Sequence, residues 1–101
     1  MNTKFEKWVR GFGVAKLAAE LRAIGPDAEA TPSAIYQWLY GETEPRSAKA
    51  TAMVRLSRGA VKLEDVYRHI ELARARRAKR AEDVVAATAS AEAIVQSVAN
   101  G

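Results

Sequence analysis

Apolar residues recur at steps of three and four through most of the chain, while Gly and Pro interrupt only positions 11–59 before the terminal Gly101. The pattern predicts helices that are short at first and then long. Thr3 caps a first helix to about Arg10, with Phe5, Trp8 and Val9 at helical spacing and Gly11 and Gly13 at its end. A second helix runs from about Val14 to Ala23, with Leu17, Ala18 and Leu21 on one face, until Gly25-Pro26. Thr31 caps a third, with Pro32 in the first turn where a missing N–H costs nothing, and the helix continues to Tyr40 before Gly41. Ser47 caps a fourth to about Ser57, burying Ala50, Met53, Val54 and Leu56, and Gly59 closes it.

From Leu63 to Val98 there is neither Gly nor Pro. Positions 63, 66, 70, 73, 77, 80, 84, 87, 91, 94 and 98 form an apolar seam interrupted only by Arg77 and Arg80. One continuous helix and two helices breaking near 78–82 both fit. The expected fold class is all-α: a compact four- to five-helix domain over residues 1–67, a basic helical connector over 68–80, and a C-terminal helical segment over 81–101. Val84, Ala87, Ala91, Ile94, Val95 and Val98 make that last segment an apolar stripe with almost no charge. Such a stripe needs a partner, and a second copy of the chain is the simplest one.

Composition narrows the chemistry. The 101 residues include no cysteine and a single histidine, His69, so thiolate metal sites and cysteine or histidine-triad catalysis have nothing to build on. No catalytic residue, metal, cofactor or small-molecule substrate is expected. No targeting segment and no apolar run of roughly 18 residues is visible, so a cytoplasmic protein without membrane contact is expected. The formal charge is +4, compatible with a polyanionic partner. Six of the sixteen cations lie in residues 68–80, and the run Arg74–Arg80 reads as a ring around a solvated helix, with phosphate contact the second reading.

The most informative stretch is residues 17–46. A helix with small Ala18, a turn, and a short helix with Ile35 and Trp38 inward has the pattern of a helix-turn-helix. Ser33, Tyr36, Gln37 and Tyr40 then point outward. Gln can pair with adenine N6 and N7, and Ser can donate or accept. Trp8 and Trp38 read as core packing. Tyr36 and Tyr40 read equally as solvent-facing or DNA-touching. His69 reads as a solvated surface residue. Glu64-Asp65 and Glu82-Asp83 read as dipole and capping features at helix starts.

The run from Thr31 to Arg46, with its Ser-Ala-Ile-x-Gln-Trp-Leu-x-Gly core and later Pro45, resembles the recognition helix and following loop of phage Cro/repressor-type (lambda repressor-like) helix-turn-helix proteins. Gly59 to Val66 also resembles the segment after the fourth helix, and the resemblance spans about residues 12–67. It implies base contacts from Thr31, Pro32, Ser33, Tyr36 and Gln37. It implies phosphate contacts from Gly13, Val14 and Lys16 at the second helix, and from Tyr40, Thr43 and Arg46 beyond the third. The turn over residues 24–30 is about four residues longer than that family's. The third helix carries no Arg or Lys, and Glu42 and Glu44 sit near the expected DNA path. The implied function is a sequence-specific transcriptional regulator, a homodimeric repressor on a palindromic double-stranded DNA operator. The alternative is an antitoxin- or adaptor-type interaction module.

Overall fold

Two of the early helices, the first and the third, begin at a threonine whose side chain caps the first turn. The structure, a computed structural model, describes the backbone of residues 3–100 and the side chains of residues 3–84. Those residues form five α-helices and no strand: α1 (Lys4–Phe12), α2 (Val14–Ile24), α3 (Pro32–Leu39), α4 (Ser47–Leu56) and α5 (Leu63–Asn100). No helix among them is long and apolar enough to cross a membrane.

The Thr3 hydroxyl accepts from the Glu6 N–H at 3.1 Å, and the Thr31 hydroxyl from the Ala34 N–H at 3.1 Å, so two of the three expected hydroxyl caps form. Gly11 lies inside α1 rather than ending it. The stop is Gly13, whose φ of +97° is strained for any residue with a Cβ; it closes α1 and opens α2. Ser47 is the first residue of α4 and makes no cap; Arg46 holds the cap position. Ser57 closes α4, its hydroxyl donating to the Val54 carbonyl at 2.7 Å and accepting from the Val61 N–H at 3.1 Å. At the start of α5 the Asp65 carboxylate accepts from the Lys62 N–H at 3.0 Å, the capping role expected of Glu64-Asp65.

One core joins all five helices. Phe5 and Val9 from α1, Leu17, Ala18 and Leu21 from α2, Ile35, Trp38 and Leu39 from α3, Ala50, Ala52 and Met53 from α4, and Val66 and Ile70 from α5 are buried in it. Val54 and Leu56 pack against it only partly, and so does Trp8, tilted against Phe12 with ring centroids 5.4 Å apart. The long turn between α2 and α3 is absorbed locally. Ala28 and Glu29 donate back to the Gly25 carbonyl, and Ala28 and Ala30 bury their methyl groups in the core.

The largest departures from the sequence reading are on α5. Of the two readings for its length, the continuous one holds: α5 is one helix from Leu63 to Asn100, with no break near 78–82. Glu82-Asp83 therefore lies in a helix interior, not at a helix start. The core passes residue 67 and reaches His69 and Ile70, so the beginning of the expected connector belongs to the packed domain. His69 is 2% exposed, not solvated. Its Nε2 donates to the Leu39 carbonyl at 2.9 Å, its Nδ1 shares a 2.6 Å hydrogen bond with the Thr3 hydroxyl, and its ring tilts against Phe5 at 5.2 Å. A side chain with polar atoms at both ends of an apolar body is tolerated in a core when both ends are satisfied.

Candidate nucleic-acid interface

Helix α3 is two-sided because its apolar residues fall at positions 35, 38 and 39. These are buried, whereas Thr31, Pro32, Ser33, Tyr36 and Tyr40 are exposed and Gln37 is half-buried. Ser33, Tyr36, Gln37 and Tyr40 follow at i, i+3, i+4 and i+7, one continuous strip. The rings of Tyr36 and Tyr40 lie 14° from parallel with centroids 6.3 Å apart, so the strip ends in an ordered aromatic pair. The Thr43 hydroxyl donates to the side-chain amide oxygen Oε1 of Gln37 at 3.4 Å, which brings the loop onto the same surface. Thr31 is committed through its oxygen to capping α3 and keeps its hydroxyl proton for another acceptor.

At the start of α2 the placement is more selective than expected. The Gly13 N–H is spent on the Val9 carbonyl at 2.9 Å, so Gly13 has no N–H left for a phosphate. The first intrahelical bond of α2 runs from the Leu17 N–H to the Gly13 carbonyl. The N–H groups of Val14, Ala15 and Lys16 precede that bond and are the open donors of this helix terminus. The Lys16 ammonium lies over the Phe12 ring at 5.0 Å, a cation–π contact that steadies it at the surface.

The loop after α3 is held against α5 along nearly its whole length. Gly41, at φ +73°, lies so close to α5 that a Cβ there would stand 2.7 Å from the Arg74 nitrogen and 2.9 Å from the Ala73 carbonyl carbon. Arg77 meets Glu42 at 2.9 Å, Arg74 meets Glu44 at 3.5 Å, and the Tyr67 hydroxyl donates to the Pro45 carbonyl at 3.3 Å. Both acidic side chains of the loop are thus drawn to arginines of α5. Each ion pair is half-exposed and worth no more than about 1 kcal/mol, but all these ties act together along one helix. Thr43 and Arg46 have no such tie to α5 and are exposed.

Arg10 of α1 closes the other side of Tyr40. The Glu6 carboxylate, 3.1 Å from the Arg10 Nε, raises the Arg10 pKa above its ordinary value; burial opposes this, and the Tyr40 hydroxyl adds to it. The sequence pattern alone does not single out Arg10. It also suggests a ring of charge over Arg74–Arg80, whereas His69, Ala73, Arg76, Arg77 and Arg80 line one cleft with Arg10 and Tyr40. Their spacing of four, three, one and three residues is the helical signal that points there.

Of the residues assigned to the C-terminal stripe, Val84 is 64% exposed. The side chains of Ala87, Ala91, Ile94, Val95 and Val98 lie outside the described residues.

Fold and surface together define an all-α protein in which a short, two-sided helix is presented by a five-helix core. Comparison with protein-family models, with curated proteins and with solved structures finds no match to this chain.

Proposed function

We propose that this protein is a sequence-specific DNA-binding transcriptional regulator of the cytoplasm, a Cro-like repressor acting as a homodimer on a palindromic operator. The observation that carries the reading is the two-sidedness of α3. Its inner face is locked in the core, and its outer face offers Ser33, Tyr36 and Gln37 in a strip without an acidic side chain. A helix so presented suits the major groove, where Gln37 reads an adenine edge and Tyr36 meets a thymine methyl. The open N–H groups of Val14 and Lys16 at α2, and Tyr40, Thr43 and Arg46 beyond α3, serve as phosphate contacts on either side. Drawing Glu42 and Glu44 to α5 supports the reading, because it turns the loop's negative charge toward cations of the same chain.

One short helix reads only a few base pairs, so two half-sites about one helical turn apart complete the specificity. The stripe from Val84 to Val98 supplies the second copy in this reading. Repression needs no catalysis, since an occupied operator blocks transcription.

Selection of bound duplexes from a random pool tests the proposal. A palindromic consensus is the expected result. Failure to enrich any sequence, together with copurification of an unrelated protein, would favour the antitoxin or adaptor reading instead.

A further inference from the structure

A cleft of about 470 Å³ lies between α1, the end of α3 and α5, and four guanidinium groups line it: Arg10, Arg76, Arg77 and Arg80. Two have carboxylate partners within it, Arg10 with Glu6 and Arg77 with Glu42. Arg76 and Arg80, one helical turn apart on α5, have no carboxylate within 4.0 Å among the described residues. The lining therefore carries two more positive than negative charges. Like charges one turn apart on a helix repel, and an anion between them relieves that repulsion.

The rest of the cleft suits an oxyanion. Ala73 lines the cleft one turn before Arg76 and Arg77, and its short side chain leaves room. His69, at the inner wall, has both ring nitrogens engaged by Thr3 and Leu39, so it shapes the cleft without competing for a ligand. Tyr40 adds a hydroxyl at the rim. A planar guanidinium grips two oxygens of one group, and two such forks match a tetrahedral dianion better than a single carboxylate.

We propose that this cleft is a phosphate-binding site in which Arg76 and Arg80 take the phosphate group and Arg10 and Arg77 flank it. The phosphate belongs either to a free phosphorylated small molecule or to a nucleic-acid backbone. The site does not depend on base reading by α3. Tyr40 lines the same cleft, and its ring stacks on Tyr36 at the outer face of α3.

The test titrates the full chain with pyrophosphate at constant ionic strength, following backbone amide shifts, and separately with a random-sequence duplex over a range of salt. The comparison is Arg76→Gln/Arg80→Gln, whose two side chains are exposed, so the fold is retained. For a free ligand, pyrophosphate gives saturable shifts centred on residues 39–42 and 73–80, and the variant binds it at least tenfold more weakly with duplex affinity unchanged. For a backbone phosphate, the variant loses duplex affinity and the slope of log affinity against log salt falls by about two. If the two chains bind pyrophosphate and duplex alike, or neither probe binds the native chain, the proposal is overturned. The pyrophosphate arm reads the cleft without DNA, so failure of the cleft and failure of operator recognition are distinguishable.

Discussion

His69 Nε2 and the Leu39 carbonyl, 2.9 Å apart across thirty residues of sequence, join the middle of the packed part of α5 to the last turn of α3. The same ring bonds Thr3, so one side chain ties the start of α1, the end of α3 and the body of α5. His69→Ala leaves a cavity, an unmatched carbonyl and a weakened cap. The expected loss of stability is about 2–4 kcal/mol. Urea unfolding measures it, and a loss under about 1 kcal/mol would show that the tie is incidental.

Gly41 and Gly11 make a contrasting pair. A methyl at Gly41 meets the backbone of α5 and must also hold a left-handed φ, whereas a methyl at Gly11 meets nothing within 4 Å. Gly41→Ala is expected to destabilise by about 2–4 kcal/mol, and Gly11→Ala, inside a helix, to stabilise by about 0.5–1 kcal/mol. Melting temperatures that shift the same way for both would contradict the close approach of the loop to α5.

Gln37→Ala is expected to weaken specific binding by about 1–3 kcal/mol and to relax preference at one position per half-site, because Gln37 presents both a donor and an acceptor on the outer strip. Repeating the duplex selection with the variant checks this. An unchanged consensus rules out Gln37 as a base reader.

Arg46→Ala is expected to weaken binding to all duplexes alike. Arg46 stands at the exposed start of α4, and its role in the proposal is to neutralise a phosphate. The slope of log affinity against log salt should shrink by about one for each phosphate that the variant leaves unneutralised. A weakening confined to one sequence would instead make Arg46 a base reader.

A chain ending at Arg80 keeps every core residue among the described residues, the last of which is Ile70. It is expected to remain folded and helical, to be monomeric where the full chain is dimeric, and to bind an operator much more weakly. Mass in solution decides this. A dimeric truncated chain, or a full-length chain that is monomeric at tens of micromolar, contradicts the assignment of residues 84–98 to dimerisation.

The sequence by itself determined the all-α class and most helix starts, because those depend on groups within one turn of each other. Thr3 and Thr31 bond N–H groups three residues on, Pro32 suits only a first turn, and Gly13 takes a backbone angle other residues avoid. It also separated the inner and outer faces of α3, since residues 35 and 38 need only helical spacing to share a side. The tertiary structure alone decided what lies opposite each face. His69 looks solvated in the sequence because its partners, Thr3 and Leu39, are 66 and 30 residues away. Gly41 looks like a helix stop, and only the path of α5 shows that its missing side chain lets two backbones touch. Arg76, Arg77 and Arg80 look like a ring of charge until α1 and Tyr40 close one side of them. Local hydrogen bonding and backbone sterics act over a few residues and can be read along the chain. Burial and charge pairing act across the gaps between helices, and these exist only once the core has formed.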